Sequence, residues 1–177
     1  MPTYPQSITD QTAIYESAGY PTYPSGGYHG GIDTVHNNHL AYAPASGSIV
    51  VAHVWQGGTD NEESWGNYIV VDIGNNQYWL AAHFADQIHT AGEQITKGQY
   101  IGTQGATGDV TGIHTHWELW SGGQSTAYRV DPSSLLGIPN GAPAWYDVSW
   151  DATDPPGPGP GPAAGKIPVW LLFKFRR

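Results

Sequence analysis

Two histidines separated by one residue, His114 and His116, stand in the segment GIHTHWELW, which reads as a β-strand. Side chains two residues apart on a strand point to the same face, so we expect the two imidazoles to share one site. A divalent metal ion would satisfy such a pair, because neutral imidazole is a common metal ligand in proteins. The alternative is that one histidine packs in the core with a hydrogen-bond partner while the other lies at the surface.

A second candidate group is His29 and Asp33 in the segment YHGGIDTV. A spacing of four residues places two side chains on a common face both in a helix and in a strand. Gly30 and Gly31 disfavour a helix, so we expect an extended or looped segment whose backbone can run close to a bound ion. Taken alone, this spacing is also compatible with chance.

The elements that position these residues are predicted to be β-strands. Helix formers are scarce, whereas the chain contains 24 glycines, 14 prolines and 12% aromatic residues. The segments GSIVVAHVW, GNYIVVDIG and YWLAAHFA follow one another without an intervening helical pattern, which favours antiparallel pairing. We therefore predict a mainly β fold, a small antiparallel sheet with few short helices, over residues 28–140. One turn of helix is predicted near TDQTAIYES.

The flanking regions are predicted to lie outside this domain. Residues 1–27 are interpreted as an N-terminal approach segment, and residues 141–165, which include DATDPPGPGPGPAAG, as a Pro/Gly-rich linker. Residues 166–177, KIPVWLLFKFRR, form a short basic and hydrophobic tail, which has three interpretations. It is an interfacial anchor, a strand that docks on a partner, or the start of a further domain.

Charge and cysteine content disfavour several functions. Residues 1–165 contain all 15 acidic residues but only two basic ones, Lys97 and Arg129, so they would repel nucleic-acid phosphates. The chain has no cysteine, which removes disulfides, thiolate ligands and cysteine nucleophiles. The N-terminal residues MPTYPQSITD do not form a secretory signal, and no apolar run is long enough to span a membrane.

Three segments in order, HGGID, LAAHF with His83, and HTHWEL, resemble the lysostaphin-type (LytM-like) zinc endopeptidases of bacterial cell walls. The similarity extends to AYAPASGSIVVA, GNYIVVDIGN, the glycine-punctuated AGEQITKGQYIGTQGATGD and the closing VDPSSLL. It covers about residues 28–137. The resemblance implies a β domain with a zinc groove across its sheet.

The resemblance also implies a role for each site residue. His29, Asp33 and His116 would bind one Zn²⁺ per chain, with the fourth position left for water. His83 and His114 would line the site without binding the metal directly. One of them would act as general base and the other would stabilise the transition state; we favour His114 as the base.

The function implied is hydrolysis of peptide bonds in peptidoglycan cross-links or stem peptides, at Gly-Gly bridges or at D-amino-acid bonds. Because no secretory signal is recognised, we expect an enzyme that acts on the bacterial cell wall as a phage or prophage lysin, as a tail-associated module, or as part of a larger chain. The tail would then contact phage tail or virion partners. The alternatives are a non-catalytic virion structural module or cell-wall-binding module on the same fold, and a carbohydrate-binding β module that would account for the aromatic residues.

Several other residues are open to two interpretations. Glu118 lies two residues after His116, and it either orients that imidazole or is a solvated strand residue. Ala81, Ile113, Thr115 and Trp117 depart from the family pattern, which bears on substrate preference because none is a ligand or proton carrier. The loop WQGGTDNEESWGN is expected to form a wall of the cleft. The remaining histidines are expected in loops or at the surface: His36, His39, His53 and His89.

Overall fold

The computed structural model describes residues 3–59 and 61–151, and their regular secondary structure is almost entirely β. The strands are β1 (Thr3–Gln6), β2 (Ala13–Ala18), β3 (Ile32–Val35), β4 (Leu40–Tyr42), β5 (Gly47–His53), β6 (Asn67–Gly74), β7 (Gln77–Phe84), β8 (Gln94–Ile95), β9 (Tyr100–Thr103), β10 (Thr115–Ser121), β11 (Arg129–Val130) and β12 (Ala144–Trp150). The helices are short: α1 (Ser133–Leu136) and the 3₁₀-helices Asn61–Trp65 and Thr126–Tyr128. None of these described helices is long and apolar enough to cross a membrane.

One large sheet dominates the fold. Its strand order is β1-β12-β2-β3-β10-β7-β6-β5-β8, with β11 pairing on β10, and β4 and β9 form a separate two-stranded sheet. All pairs are antiparallel except β1 and β12, which run parallel. The prediction of a mainly β fold with a predominantly antiparallel sheet and few short helices is therefore confirmed.

The two faces of the sheet have different environments. Trp117 on β10 and Trp79 on β7 are fully buried on one face, where their rings pack 6.5 Å apart in the main core. Burying each of these large side chains contributes about 1.5–3 kcal/mol to folding. The opposite face carries a smaller apolar cluster, made up of Tyr68, Val70, Leu80, Ala82 and Trp120. Since side chains alternate along a strand, His116 and Glu118 lie on this second face with Trp120.

The segments that flank the predicted domain contribute strands to the same sheet. Residues 1–27, predicted as an approach segment, contain β1 and β2, and β2 pairs with β3. Residues 144–150, predicted as part of the linker, instead form β12, which lies between β1 and β2. Val148 and Tyr146 of β12 pack on the main core, which accounts for its place in the sheet. Residues 152–177, with the rest of the linker and the tail, lie outside the described residues.

The prediction of a helical turn within TDQTAIYES is wrong, because residues 13–18 form β2. The burial of β2 follows a period of two: Ile14, Glu16 and Ala18 are buried, while the residues between them are partly exposed. Glu16 obscured this alternation in the sequence, since a carboxylate is rarely buried. Its Oε2 accepts hydrogen bonds from the Tyr146 hydroxyl at 2.9 Å and the Gly141 amide at 3.0 Å.

Candidate metal centre

Three side-chain atoms from two neighbouring segments converge on the face of the sheet that lies opposite the main core. Asp33 on β3 is the register partner of His116 on β10, and His29 lies just before β3. The three ligand atoms are His29 Nε2, Asp33 Oδ1 and His116 Nδ1. They lie 3.2 Å (His29 to Asp33), 2.7 Å (His116 to Asp33) and 3.0 Å (His29 to His116) apart. Tetrahedral ligands of zinc lie roughly 3.3 Å apart, so small adjustments would let these atoms share one ion.

Glycine at position 31 is required by this convergence. A Cβ on Gly31 would overlap the carbonyl oxygen of Trp117 and press against the imidazole of His116. The segment between the two β3-side ligands therefore lies directly against β10, and any larger residue would push the strands apart. This close approach supports the sequence interpretation that the paired glycines let the backbone run near the site.

Each histidine of the candidate site is oriented by a hydrogen bond from its other ring nitrogen. His29 Nδ1 donates to the carbonyl oxygen of Gly19 at 2.9 Å, which leaves Nε2 directed at Asp33. His116 Nε2 donates to Glu118 Oε1 at 3.1 Å, which leaves Nδ1 directed at the same carboxylate. A partner of this kind fixes the tautomer and raises the basicity of the nitrogen that binds the metal. The donor set and its support therefore fit a divalent metal ion.

Glu118 is the centre of the supporting network, and it contacts His116 instead of lying in solvent. Its side chain is fully buried. Besides His116, the carboxylate accepts hydrogen bonds from Arg129 Nε and Nη2 and from Trp120 Nε1, each at 2.6 Å. Burial raises the pKa of Glu118, but the hydrogen bonds from His116 and Arg129 outweigh it and lower the pKa to about 2. Glu118 is therefore an anion that holds the imidazole in place.

The three candidate metal ligands are strongly coupled in charge. Burial raises the pKa of Asp33, but hydrogen bonds from His116 and His29 lower it well below its usual range. Burial lowers the pKa of His116, but the carboxylates of Asp33 and Glu118 more than compensate and raise it to about 9. His116 is thus protonated at neutral pH in the metal-free protein, and a metal ion must displace that proton to bind.

His83 and His114 lie beside the three ligands. Their rings are 4.8 Å apart, and the ring of His83 is 5.8 Å from that of His116. His83 Nδ1 donates to the carbonyl oxygen of Thr107 at 2.9 Å, and His114 Nδ1 to that of Gly112 at 3.0 Å. Each ring therefore keeps Nε2 as a lone-pair nitrogen, and Nε2 of His114 lies 3.7 Å from Asp33 Oδ1. Burial lowers the pKa of both imidazoles, that of His83 to about 3.

A backbone irregularity directs His83 into the site. Ala82 pairs with His116 and shares its face, so strict alternation would point His83 into the main core. Instead His83 adopts a φ of 68°, in the left-handed region that non-glycine residues seldom occupy. The β6–β7 register also shifts between Asn67 and Ile69, opposite this residue. The bulge thus re-aims the imidazole towards His114.

Two adjoining cavities form a cleft on this face. One, of about 240 Å³, is lined by His83 and His116 together with Tyr23, Tyr28 and Asp109. The other, of about 570 Å³, lies over the apolar cluster and includes Val51, Tyr68, Val70 and Trp120. Both are bounded by Ser64, Trp65 and Arg129. The expected contribution of the loop WQGGTDNEESWGN to a wall of the cleft is thus observed at Ser64 and Trp65.

Sequence reasoning missed three residues of the site. Tyr23 stacks on His29 with ring centroids 4.1 Å apart, Tyr28 lines the smaller cavity, and Arg129 holds Glu118. Tyr23 and Tyr28 lie in a segment without hydrophobic periodicity, and Arg129 lies after the turn that follows β10. No sequence motif therefore identified these residues. The sequence signal that remained was that Arg129 is one of two basic residues before position 166.

The remaining histidines lie outside the site. The surface prediction is wrong for His36, which is fully buried, with Nδ1 donating to the Leu40 carbonyl oxygen at 2.7 Å. Burial lowers the pKa of His36 to about 4, so it is a neutral core residue. His39 and His89 lie in loops as expected, whereas His53 ends β5 and contacts Glu63 at 3.1 Å.

We expect Glu118→Gln to weaken metal affinity on the order of 10–100-fold, because the neutral amide no longer raises the basicity of the His116 nitrogen that would bind the metal. The affinity is measured by competition with a chromogenic chelator. Glu93→Gln is the matched control, since Glu93 contacts His89 away from the site. A folded Glu118→Gln variant with unchanged affinity would contradict the orienting role; circular dichroism checks the fold, because Arg129 loses its charged partner.

The sequence and the fold are similar to those of known proteins. The family model described as Peptidase family M23 matches residues 27–128. Peptidoglycan DD-endopeptidase ShyA from Vibrio cholerae is 39% identical over 61 residues, which are 34% of this chain. That match spans only 14% of ShyA.

Two solved structures share the fold. The catalytic domain of the antimicrobial peptidase lysostaphin from Staphylococcus simulans has a TM-score of 0.58 and 30% identity, covering 69% of this chain and 92% of that one. The catalytic domain of the prophage-encoded M23 protein EnpA from Enterococcus faecalis also has a TM-score of 0.58, at 22% identity, covering 72% and 95%. The sequence-based resemblance is thereby confirmed.

Proposed function

Because this chain belongs to peptidase family M23, we propose that it is a zinc-dependent endopeptidase that cleaves peptide bonds in bacterial peptidoglycan. The observation that carries the proposal is the convergence of His29 Nε2, Asp33 Oδ1 and His116 Nδ1 beside two further imidazoles in an open cleft. Two imidazoles and one carboxylate, with a fourth position open to the cleft, are the donor set of catalytic zinc sites.

The three ligands and their supports would hold the ion. When bound, zinc supplies a Lewis acid that polarises the scissile carbonyl and lowers the pKa of water. Gly19 and Glu118 keep the two imidazoles oriented, and Arg129 keeps Glu118 ionised and in place. One carboxylate and two neutral imidazoles leave the zinc site with a net positive charge, which favours a developing anion.

We propose that His114 and His83 act as the acid–base groups of the reaction. Both are held neutral by burial in the metal-free protein, and each has Nε2 available because Nδ1 donates to a carbonyl oxygen. His114 Nε2 lies closer to the ligand triangle, 3.7 Å from Asp33 Oδ1, which suits it to take a proton from the attacking water. His114 would then pass this proton to the leaving amine. His83 would stabilise the oxyanion of the transition state once its Nε2 has taken up a proton, with Nδ1 still donating to Thr107.

The proposed substrate is the peptide part of peptidoglycan, either the cross-links or the stem peptides. The support is that ShyA, a relative over 61 residues, is named a peptidoglycan DD-endopeptidase, and that lysostaphin is named an antimicrobial peptidase. An origin as a phage or prophage lysin or tail-associated module, with bacteriolytic activity and virion partners for the tail, stays a prediction from the sequence.

Removing the metal is expected to abolish hydrolysis, because the ligands alone cannot polarise the carbonyl. Purified protein is assayed for bound zinc and for new amino groups released from several peptidoglycan types, before and after treatment with a chelator. Activity should fall below detection and return when zinc is added back. Undiminished activity in fully metal-depleted protein would contradict the proposal, as would a zinc-loaded protein that releases no amine from any of the substrates.

A further inference from the structure

An aromatic pair made of the exposed Trp145 and the half-buried Tyr15 lies on the same sheet as the candidate metal centre. Trp145 on β12 is 59% exposed, a large fraction for a tryptophan, and its register partner on β2 is Tyr15. The two rings lie 5.1 Å apart at 35°, so Tyr15 packs along the indole and supports it. An indole ring that is this exposed, and that is held in place by a second aromatic ring, is available to pack against a ligand.

The pair lies on the same sheet face as the metal ligands. Val35 is two residues from Asp33 on β3, so the two share a face, and Val35 is the register partner of Tyr15. Trp145, Tyr15 and Val35 thus form a row across β12, β2 and β3 on the face that carries Asp33. With strands about 4.8 Å apart, the row extends roughly 10 Å sideways from the metal-binding strand.

The two strands that carry the pair lie outside residues 27–128, the range matched by the family. β2 and β12 extend the sheet at the β3 edge, and they widen the face on one side of the cleft. The pair is therefore a feature of the flanking segments of this chain.

The charges near the pair disfavour an anionic ligand. Within residues 3–59 and 61–151 the basic side chains are Lys97 and Arg129, and each is paired with a carboxylate at 2.8 Å and 2.6 Å respectively. Asp147, two residues from Trp145 on β12, is exposed. An anionic wall polymer or an acidic lipid surface would meet negative charge here without a compensating cation.

We propose that Trp145 and Tyr15 form a binding site for the pyranose rings of an uncharged N-acetylated sugar chain, the glycan strand of peptidoglycan. Pyranose rings present flat C–H faces that pack on indole and phenol rings, while their hydroxyls stay in water. The inference rests on the proposed function, because a stem peptide in the cleft is covalently joined to a sugar chain that has to pass nearby. The aromatic row would seat that chain while the peptide reaches the metal.

Direct binding tests this site independently of hydrolysis. The full chain, freed of metal with a chelator, is titrated with a linear hexamer of N-acetylglucosamine by calorimetry. We expect binding that Trp145→Ala weakens on the order of tenfold or more, as truncation of a central tryptophan does. Ile88→Ala is the matched control, because Ile88 is 47% exposed. Absence of binding by the unmodified chain, or equal binding by the Trp145→Ala variant, would overturn the site.

A hydrolysis comparison separates this inference from the proposed function. Trp145→Ala should lower kcat/KM on intact sacculi by a similar factor and leave kcat/KM on glycan-free cross-linked peptides unchanged. If the enzyme is active and its Trp145→Ala variant cleaves sacculi normally, the sugar site is refuted and the proposed activity stands. If the chain binds the sugar hexamer but cleaves no substrate, the proposed activity is refuted and the sugar site stands. Sedimentation that shows a dimer lost in Trp145→Ala would assign the aromatic pair to a second copy instead.

Discussion

Replacing His116 by alanine is expected to abolish stoichiometric zinc binding and to reduce peptide hydrolysis on the order of 10³-fold or more. His116 Nδ1 is 2.7 Å from Asp33 Oδ1 and 3.0 Å from His29 Nε2, so its loss removes one corner of the ligand triangle. Two remaining ligands cannot hold a catalytic zinc ion against water. Bound zinc is measured by mass spectrometry and hydrolysis by kcat/KM on the same preparation.

The His116→Ala variant leaves the buried Glu118 without its His116 partner and so risks unfolding. Two further variants keep the test informative in that case. Asp33→Asn preserves the size of the side chain at a second corner and should also lose zinc, because an amide oxygen is a weaker ligand than a carboxylate. His89→Ala removes a histidine that pairs with Glu93 outside the site and should retain both zinc and activity. Full zinc content in folded His116→Ala would refute the ligand assignment.

The second large effect is expected at His83 and His114, where alanine should lower kcat by 10²–10⁴-fold, the usual range for a positioned acid or base, without loss of zinc. Neither ring is part of the ligand triangle, yet the two lie 4.8 Å apart beside it. Variants that keep zinc but lose turnover would show that the two histidines act in catalysis and not as metal ligands. Each variant is characterised by zinc content, kcat and KM.

The pH profile assigns the two roles. A general base works in its neutral form, so the rate falls as the pH drops through its pKa. Removing the base should therefore remove that acidic limb, and we expect this for His114→Ala. His83→Ala should lower the plateau and keep the limb. Loss of zinc in either variant would make that histidine a ligand, and wild-type turnover would exclude it from catalysis.

The alternation of side chains along a strand was enough to predict part of the site. It placed His114 with His116 on one face, and it allowed Glu118 to reach His116, as the 3.1 Å contact between Glu118 and His116 shows. The order of the three histidine segments, compared with a known family, supplied the link across more than eighty residues that spacing alone could not.

Local irregularities and long-range pairing set the limit of that prediction. His83 reaches the site through a left-handed φ and a register shift, which break the period of two. β2 was concealed by the buried Glu16, and β12 by its exposed Trp145 and Asp147 next to a proline-rich stretch. Arg129 acts through a contact with Glu118 that exists only once β11 pairs with β10.

The most direct test is a crystal structure of the full chain grown with zinc, with diffraction collected on both sides of the zinc absorption edge. The structure predicts one strong anomalous peak bonded to His29 Nε2, Asp33 Oδ1 and His116 Nδ1 at about 2.0–2.2 Å. Its fourth position should face the cleft beside His83 and His114. A peak bound elsewhere, or no peak within reach of these three atoms at saturating zinc, would contradict the account.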